Sequence, residues 1–192
     1  MSGRLLPQTL LYAPTLRLVR TLSSALGELK TFPPMADAIP ATGNERVTLL
    51  GPGIGSAAAR LACEPYLACG VQRLILFGAC GGIISNESSL RIGSIILPTA
   101  AFYEMPGNLL YTTESSSGLE SGVMRSELTR QMEESQGAKI FSGGVWSTDS
   151  PFRESEDNVS RMLGSGALGV EMECAALAQL AKQYGCEFCA CL

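Results

Sequence analysis

The stretch GVEMECAALAQLAKQYGCEFCACL (169–192) decides the fold. Its first residues belong to ALGVEME (167–173), an apolar run typical of a buried β-strand. CAALAQLAKQY (174–184) then repeats apolar residues at helical spacing, and Gly185 is suited to end that helix. CEFCACL (186–192) begins another strand, in which the cysteines are small buried residues rather than a dithiol motif. A strand–helix–strand unit of this kind is typical of parallel sheets covered by helices.

The same alternation extends over the rest of the chain. The predicted strands are TLLYA (9–13), RVTLL (46–50), QRLILF (72–77), IGSIILPTAAF (92–102), which we expect Pro98 to close, and AKIFSGGVWSTD (138–149). The predicted helices cover residues 15–29, 57–70 and 122–137, with Pro65 either kinking the second helix or starting another. We therefore predict a single α/β domain over residues 1–192, with three layers, α/β/α, around a mixed, mostly parallel central sheet.

Composition excludes several classes of protein. The chain has 14 basic and 18 acidic residues and a net charge of −4, without a basic stripe, which argues against nucleic-acid binding. Since no apolar run is long enough to span a bilayer, we expect no membrane partner. The chain contains no histidine, which removes the commonest general base and the commonest zinc ligand, and we predict no metal site.

The cysteine count and the first residues bear on location. Seven cysteines, an odd and sparse number, predict reduced thiols and a cytoplasmic protein. Residues 1–27 contain arginines but no acidic residue, a bias that organellar transit peptides share. The simpler interpretation is that these residues form a first strand and helix that happen to lack acids.

Two glycine-rich loops follow predicted strands. In GPGIGS (51–56) and GACGG (78–82), backbone amides are free to point at an anion or to approach a ligand closely. The first loop is not a dinucleotide fingerprint, and a tight strand-to-helix turn explains it equally well. Cys80 in the second loop is best explained as a structural thiol, because no nearby base lowers its pKa.

Two acidic residues interrupt an apolar run at the start of a predicted helix. Acids at a helix N-terminus favour the positive end of the macrodipole, which explains one of them. On an extended segment Glu171 and Glu173 share a face, with Met172 opposed. A buried carboxylate needs hydrogen-bond donors, and the two hydroxyls of a sugar diol are suitable ones.

The loop WSTDSPFRE (146–154) carries an aromatic residue and a charged pair. Phe152, Asp149 and Arg153 can cap a planar ligand. The alternative is an Asx-type turn at Asp149 with a surface pair between Asp149 and Arg153.

In their order and spacing, these segments resemble the nucleoside phosphorylase superfamily, which includes purine nucleoside and uridine phosphorylases and methylthioadenosine nucleosidases. The resemblance rests on RVTLLGPGIGSAAA, VQRLILFGACGGI, GGVWSTDSPFRE and GVEMECAALAQLAKQYG, and the similarity is greatest to the uridine-phosphorylase-like members. It covers residues 46–192 as a recognisable core, with a divergent part at 1–45. It implies reversible phosphorolysis of a ribonucleoside to free base and ribose 1-phosphate, as in nucleoside salvage.

The resemblance also implies a site and its partners. Ribose contacts fall on Glu173, Met172 and Glu171. Phosphate contacts fall on Arg17, Gly53, Gly78 and Ala79, and base contacts on Cys80, Gly81, Phe152 and Asp149. The family needs no cofactor, since inorganic phosphate is the co-substrate, and it assembles as homo-oligomers, so that a dimer or hexamer is expected.

The sequence departs from the family at several of these positions. APTLR (13–17) keeps only the arginine of the family's first phosphate loop, and Leu76 and Ala79 stand where an arginine and a serine are usual. Pro151 replaces the base-stacking phenylalanine, and the expected general-acid aspartate falls beyond Leu192, so that we expect the last strand and helix to be missing. A hydrolytic nucleosidase and a non-catalytic subunit or truncated isoform are therefore the two alternative hypotheses.

Overall fold

The structure is a computed structural model that describes residues 7–32, 41–84, 89–103, 116–119, 122–134 and 137–192. The strands in these ranges are β1 (Thr9–Tyr12), β2 (Lys30–Phe32), β3 (Ala41–Gly43), β4 (Val47–Leu50), β5 (Arg73–Phe77), β6 (Gly81–Gly82), β7 (Ile95–Tyr103), β8 (Ser116–Gly118), β9 (Ile140–Ser147), β10 (Ala167–Glu171) and β11 (Glu187–Cys191). The helices are α1 (Leu16–Leu26), α2 (Ser56–Ala68), α3 (Gly122–Glu134), α4 (Glu156–Gly164) and α5 (Cys174–Tyr184), with a 3₁₀ turn at Pro151–Arg153.

The first sheet has the strand order β11–β5–β1–β4–β3–β2. Its first four strands are parallel, and β2 and β3 add an antiparallel edge. The predicted strand, helix and strand are present as β10, α5 and β11. Strand β11 pairs in parallel with β5, whereas β10 belongs to the second sheet. The short strands β2 and β3 were not predicted, since three-residue segments carry too little periodicity.

Helices cover both faces of this sheet. Side chains alternate across it, so that Leu11 and Leu49 pack with the apolar side of α1. On the opposite face, Leu10, Tyr12 and Leu50 join the main core, to which α2 and α5 contribute. The predicted three-layer architecture is confirmed here.

The second sheet has the order β6–β10–β9–β7–β8, with parallel pairing of β10, β9 and β7. The two sheets meet where Leu192 and Ile96 exchange backbone hydrogen bonds of 2.8 and 3.0 Å. The mixed, mostly parallel sheet is thus confirmed, in two segments that join at this point. Helix α5 packs against strands of both segments.

Three local predictions need correction. Strand β7 continues through Pro98, and its register against β9 shifts between Pro98 and Ala100, so that a bulge accommodates the missing N–H. Helix α2 is continuous across Pro65, so that the alternative of a second helix starting there is wrong. Helix α4 was not predicted, although Ser155 caps it by accepting a hydrogen bond from the Asn158 amide.

The first strand and helix are integral to the domain. β1 lies between β4 and β5, and Leu10 and Tyr12 are fully buried. Residues 9–26 are therefore part of the fold as a strand and a helix, which agrees with the simpler interpretation of this acid-poor segment. Within the described ranges, every helix is too short or too polar to cross a membrane.

Candidate active site

The candidate site lies where the carboxyl ends of β1, β4, β9 and β10 converge, as expected for parallel strands. Tyr12 at the end of β1 donates a hydrogen bond of 2.6 Å to the carbonyl of Gly53 in the loop after β4. After β9, the Thr148 amide donates to the carbonyl of Glu171 at 2.8 Å. These two hydrogen bonds join the strand ends in two pairs, β1 with the loop after β4 and β10 with the loop after β9.

Glu171 is a buried carboxylate with protein partners on both oxygens. Its Oε1 accepts from the hydroxyl of Ser147. Its Oε2 accepts from the backbone amides of Glu173 and Cys174, each at 2.7 Å. These two amides belong to the first turn of α5, where a negative charge is favourable. These contacts give Glu171 an internal, positioning role, and its direct contact with a ribose stays a prediction.

Glu173 is also buried, but its contacts are different. Its Oε1 accepts the amide of Gly55, just before α2, at 2.6 Å. A carboxylate can accept about four hydrogen bonds, so Glu173 keeps capacity for further donors. The prediction that the two acids share a face of one extended segment is wrong. Strand β10 ends at Glu171, and the chain then turns into α5.

Burial governs the ionisation of both acids. Burial raises the pKa of Glu171 to about 7, although the hydroxyl of Ser147 and the two amides oppose the rise. Burial likewise raises the pKa of Glu173, against the opposing hydrogen bonds from the amides of Gly55 and Met172. Both acids therefore protonate more readily than a carboxylate in water.

The N-terminus of α2 is held by groups from the second sheet. The Ser56 amide donates to Oδ1 of Asp149 at 3.4 Å, and the Ser56 hydroxyl donates to the carbonyl of Met172 at 3.2 Å. Asp149 thus lies beside the glycine loop and Glu173. The structure brings together Asp149, Met172 and Glu173 from the predicted set.

The predicted phosphate-binding amides have other partners. The amide of Gly53 donates to the carbonyl of Pro14 at 2.9 Å, and that of Gly78 donates to the carbonyl of Cys191 at 2.9 Å. A Cβ on Gly51 would lie 2.0 Å from the carbonyl oxygen of Ala13, so the loop needs glycine at this close approach. Of the two explanations offered for this loop, anion binding and a tight strand-to-helix turn, the tight turn therefore accounts for Gly51–Gly53.

The second glycine loop runs beside β10. Gly81 pairs with Val170, and Cys80 lies against Gly169. Burial, with a smaller contribution from the Glu171 charge, raises the pKa of the Cys80 thiol to about 11. Cys80 is therefore a protonated thiol at neutral pH, in agreement with a structural role. Ala79 in the same loop is exposed.

Two predicted residues lie on the surface. Arg17 is exposed in the first turn of α1, and Phe152 is fully exposed in the 3₁₀ turn. Ser147 and Tyr12 were missed as site residues, although both end strands that precede candidate loops, and that position was the available signal. Among the described residues, no group of three or more Cys, Asp or Glu could hold a metal ion.

Comparison with known proteins identifies the family of the chain. A family model described as the Phosphorylase superfamily matches residues 15–192. The chain belongs to this superfamily. A purine nucleoside phosphorylase of the DeoD type from Brevibacillus brevis is 27% identical over 141 residues, which cover 73% of this chain and 59% of that protein. The chain thus spans about three fifths of the length of this curated relative.

Solved structures of the superfamily share the fold. A uridine phosphorylase from Vibrio fischeri superposes with a TM-score of 0.83 at 20% identity, covering 97% of this chain and 77% of that one. A 5'-methylthioadenosine/S-adenosylhomocysteine nucleosidase from Neisseria meningitidis has a TM-score of 0.80 at 20% identity, covering 95% and 83%. At this identity the superpositions establish the architecture, and the nucleoside phosphorylase-like fold is confirmed.

Proposed function

We propose that the protein binds a ribonucleoside and cleaves its glycosidic bond with inorganic phosphate as the nucleophile. The observation that carries the proposal is the contrast between the two buried acids. Three protein donors occupy both oxygens of Glu171, whereas Glu173 accepts from the amides of Gly55 and Met172 and keeps acceptor capacity. A ribose diol supplies two donors for such a carboxylate.

In the proposed reaction, a phosphate oxygen forms a bond to the anomeric carbon as the bond from that carbon to the base nitrogen breaks. The electron pair of the broken bond stays with the base, which takes a proton. The family resemblance implies that an aspartate donates this proton. Ionised Glu173 holds the ribose hydroxyls while positive charge develops on the sugar. The reaction needs no cofactor.

The phosphate side of the proposed site rests on Arg17. This guanidinium lies in the first turn of α1, where the helix N-terminus also favours an anion. We propose Phe152 and Asp149, with Cys80 and Gly81, as the base side. A homo-oligomer remains part of the proposal.

Hydrolysis is the second candidate function, and a specific observation favours it. The amides of Gly53 and Gly78, which phosphate would need, already bond to the carbonyls of Pro14 and Cys191. Water is a smaller nucleophile that needs no such amides. In that case the nucleoside gives free ribose and free base.

The experiment measures base release from inosine, guanosine and uridine, with and without phosphate, by separating the free bases chromatographically. Phosphorolysis predicts ribose 1-phosphate and a rate that rises with phosphate concentration. An unchanged rate without phosphate, with free ribose as product, would replace phosphorolysis by hydrolysis. If no base is released from any nucleoside, both reactions are wrong, and calorimetric titration with the same nucleosides tests the non-catalytic alternative.

A further inference from the structure

Helices α2 and α5 begin side by side at the candidate site. The amide of Gly55, just before α2, bonds to Glu173, just before α5, at 2.6 Å. The hydroxyl of Ser56 bonds to the carbonyl of Met172 at 3.2 Å. The position of the Glu173 carboxylate therefore depends on how closely the two helices approach at their first turns.

A second polar link joins the helices further along. Arg60 Nη2 donates a hydrogen bond of 2.9 Å to Gln179 Oε1, and both side chains are buried. Arg60 lies four residues, or about 6 Å, beyond Ser56 on the same face of α2. Gln179 lies five residues, or about 7.5 Å, beyond Cys174 in α5. The link is thus at a similar depth along both helices.

This link is unusual in its surroundings. The residues that α2 and α5 contribute to the main core are mostly small and apolar, such as Ala59, Ala62, Ala175 and Ala178. Burying a guanidinium costs more free energy than burying an apolar side chain of similar size. Within the described ranges, Nε2 of Gln179 has no partner, so the polar function of Gln179 is to accept from Arg60. An apolar pair would join the helices without fixing their relative position.

We propose that Arg60 is a positioning residue that, through Gln179, sets the separation of α2 and α5 and so holds Glu173 on the Gly55 amide. The hydrogen bond between Arg60 and Gln179 prevents the two helices from sliding or spreading at their first turns, where Gly55 meets Glu173. The consequence for nucleoside affinity rests on the proposed function. The consequence for the Gly55–Glu173 hydrogen bond is independent of the proposed function.

The test uses the full chain labelled with ¹⁵N, and follows the Gly55 amide proton by NMR. In Arg60→Met the Gly55 resonance moves upfield, and its exchange with solvent becomes about tenfold faster, because its hydrogen bond to Glu173 lengthens. In the active protein the same variant raises the KM for the nucleoside about tenfold and leaves kcat within about twofold. Gln179→Glu keeps an acceptor oxygen and should retain the wild-type Gly55 resonance and exchange rate. Gln179→Met lacks an acceptor and should show the same upfield shift and faster exchange as Arg60→Met.

Arg73→Met is the matched control, because Arg73 is a half-exposed arginine paired with Glu187 far from the two helix starts. It should leave both the Gly55 signal and KM unchanged. A folded Arg60→Met or Gln179→Met with a wild-type Gly55 signal would overturn the proposal. If Arg60→Met does not fold, the Gln179→Met and Gln179→Glu pair decides. A wild-type protein without base release would refute the proposed function alone, since the Gly55 readout needs no turnover.

Discussion

At the start of α5 the polar groups have protein partners, whereas at the start of α1 the Arg17 side chain faces solvent. The α5 side is the proposed ribose side, where Ser147, Glu171 and Glu173 are held in place before any ligand arrives. The α1 side is the proposed phosphate side, where the amide of Gly53 already donates a hydrogen bond to the carbonyl of Pro14. The ribose side is therefore preorganised, and the phosphate side depends on a single exposed cation.

The largest expected effect is on the ribose side. Glu173→Gln should lower kcat/KM for nucleoside cleavage about a thousandfold, because two hydrogen bonds to a charged acceptor are weakened. Steady-state base release measures this. Glu171→Gln is the matched control and should cost less turnover but more stability, since its amide group places a donor near the hydroxyl and two amides that now donate to Glu171. Equal losses of turnover would remove the distinction between the two acids.

The glycine loop connects the two sides, and its close approach can be tested directly. Gly51→Ala should lower the free energy of unfolding by about 3 kcal/mol, because the new Cβ would meet the carbonyl oxygen of Ala13. Urea denaturation measures the change. Gly185→Ala is the control, since Gly185 also has a positive φ but open space around it, and should cost about 1 kcal/mol. Similar costs at both positions would show that contact with Ala13 is unimportant.

Burial on the ribose side also predicts a pH dependence. The pKa of Glu171 rises from 4.5 to about 7 on folding, so the folded state binds more protons between these values. The free energy of unfolding should therefore fall by about 2 kcal/mol from pH 5 to pH 7 through this residue. Urea denaturation at each pH measures this slope, and Glu171→Gln should remove it. Glu127→Gln, which alters an exposed acid paired with Arg130, should leave the slope in place. A slope that survives Glu171→Gln would assign it to other groups.

The smallest effect is expected on the phosphate side. Arg17→Met should raise the KM for phosphate about tenfold, because one exposed cation contributes modestly to anion binding. Kinetics at varied phosphate concentrations measure it. Arg20→Met, which removes an exposed arginine from the same helix, should have no effect. Equal effects of both substitutions would mean that only the general charge of α1 attracts phosphate.

Sequence patterns predicted the buried strands and most of the helices, because burial on a sheet leaves long apolar runs. They failed where a local signal was short or ambiguous. The strands β2 and β3 have only three residues each, and β7 passes through a proline because a bulge absorbs the missing donor. Helix α4 was missed although its Ser155 cap was present, since most residues of the segment are polar and its apolar periodicity is weak.

The site divides in a similar way. The sequence alone showed that two acids interrupt an apolar run and that glycine loops follow strands, since these features are visible within a few residues. It could not show which donors each acid meets, because Gly55 and Ser147 are distant from Glu173 and Glu171 along the chain. It also could not show that the amides of Gly53 and Gly78 are already used. Hydrogen bonds between distant segments form only when the strands take their order in the sheets, and that order gave the two glutamates different hydrogen-bond partners.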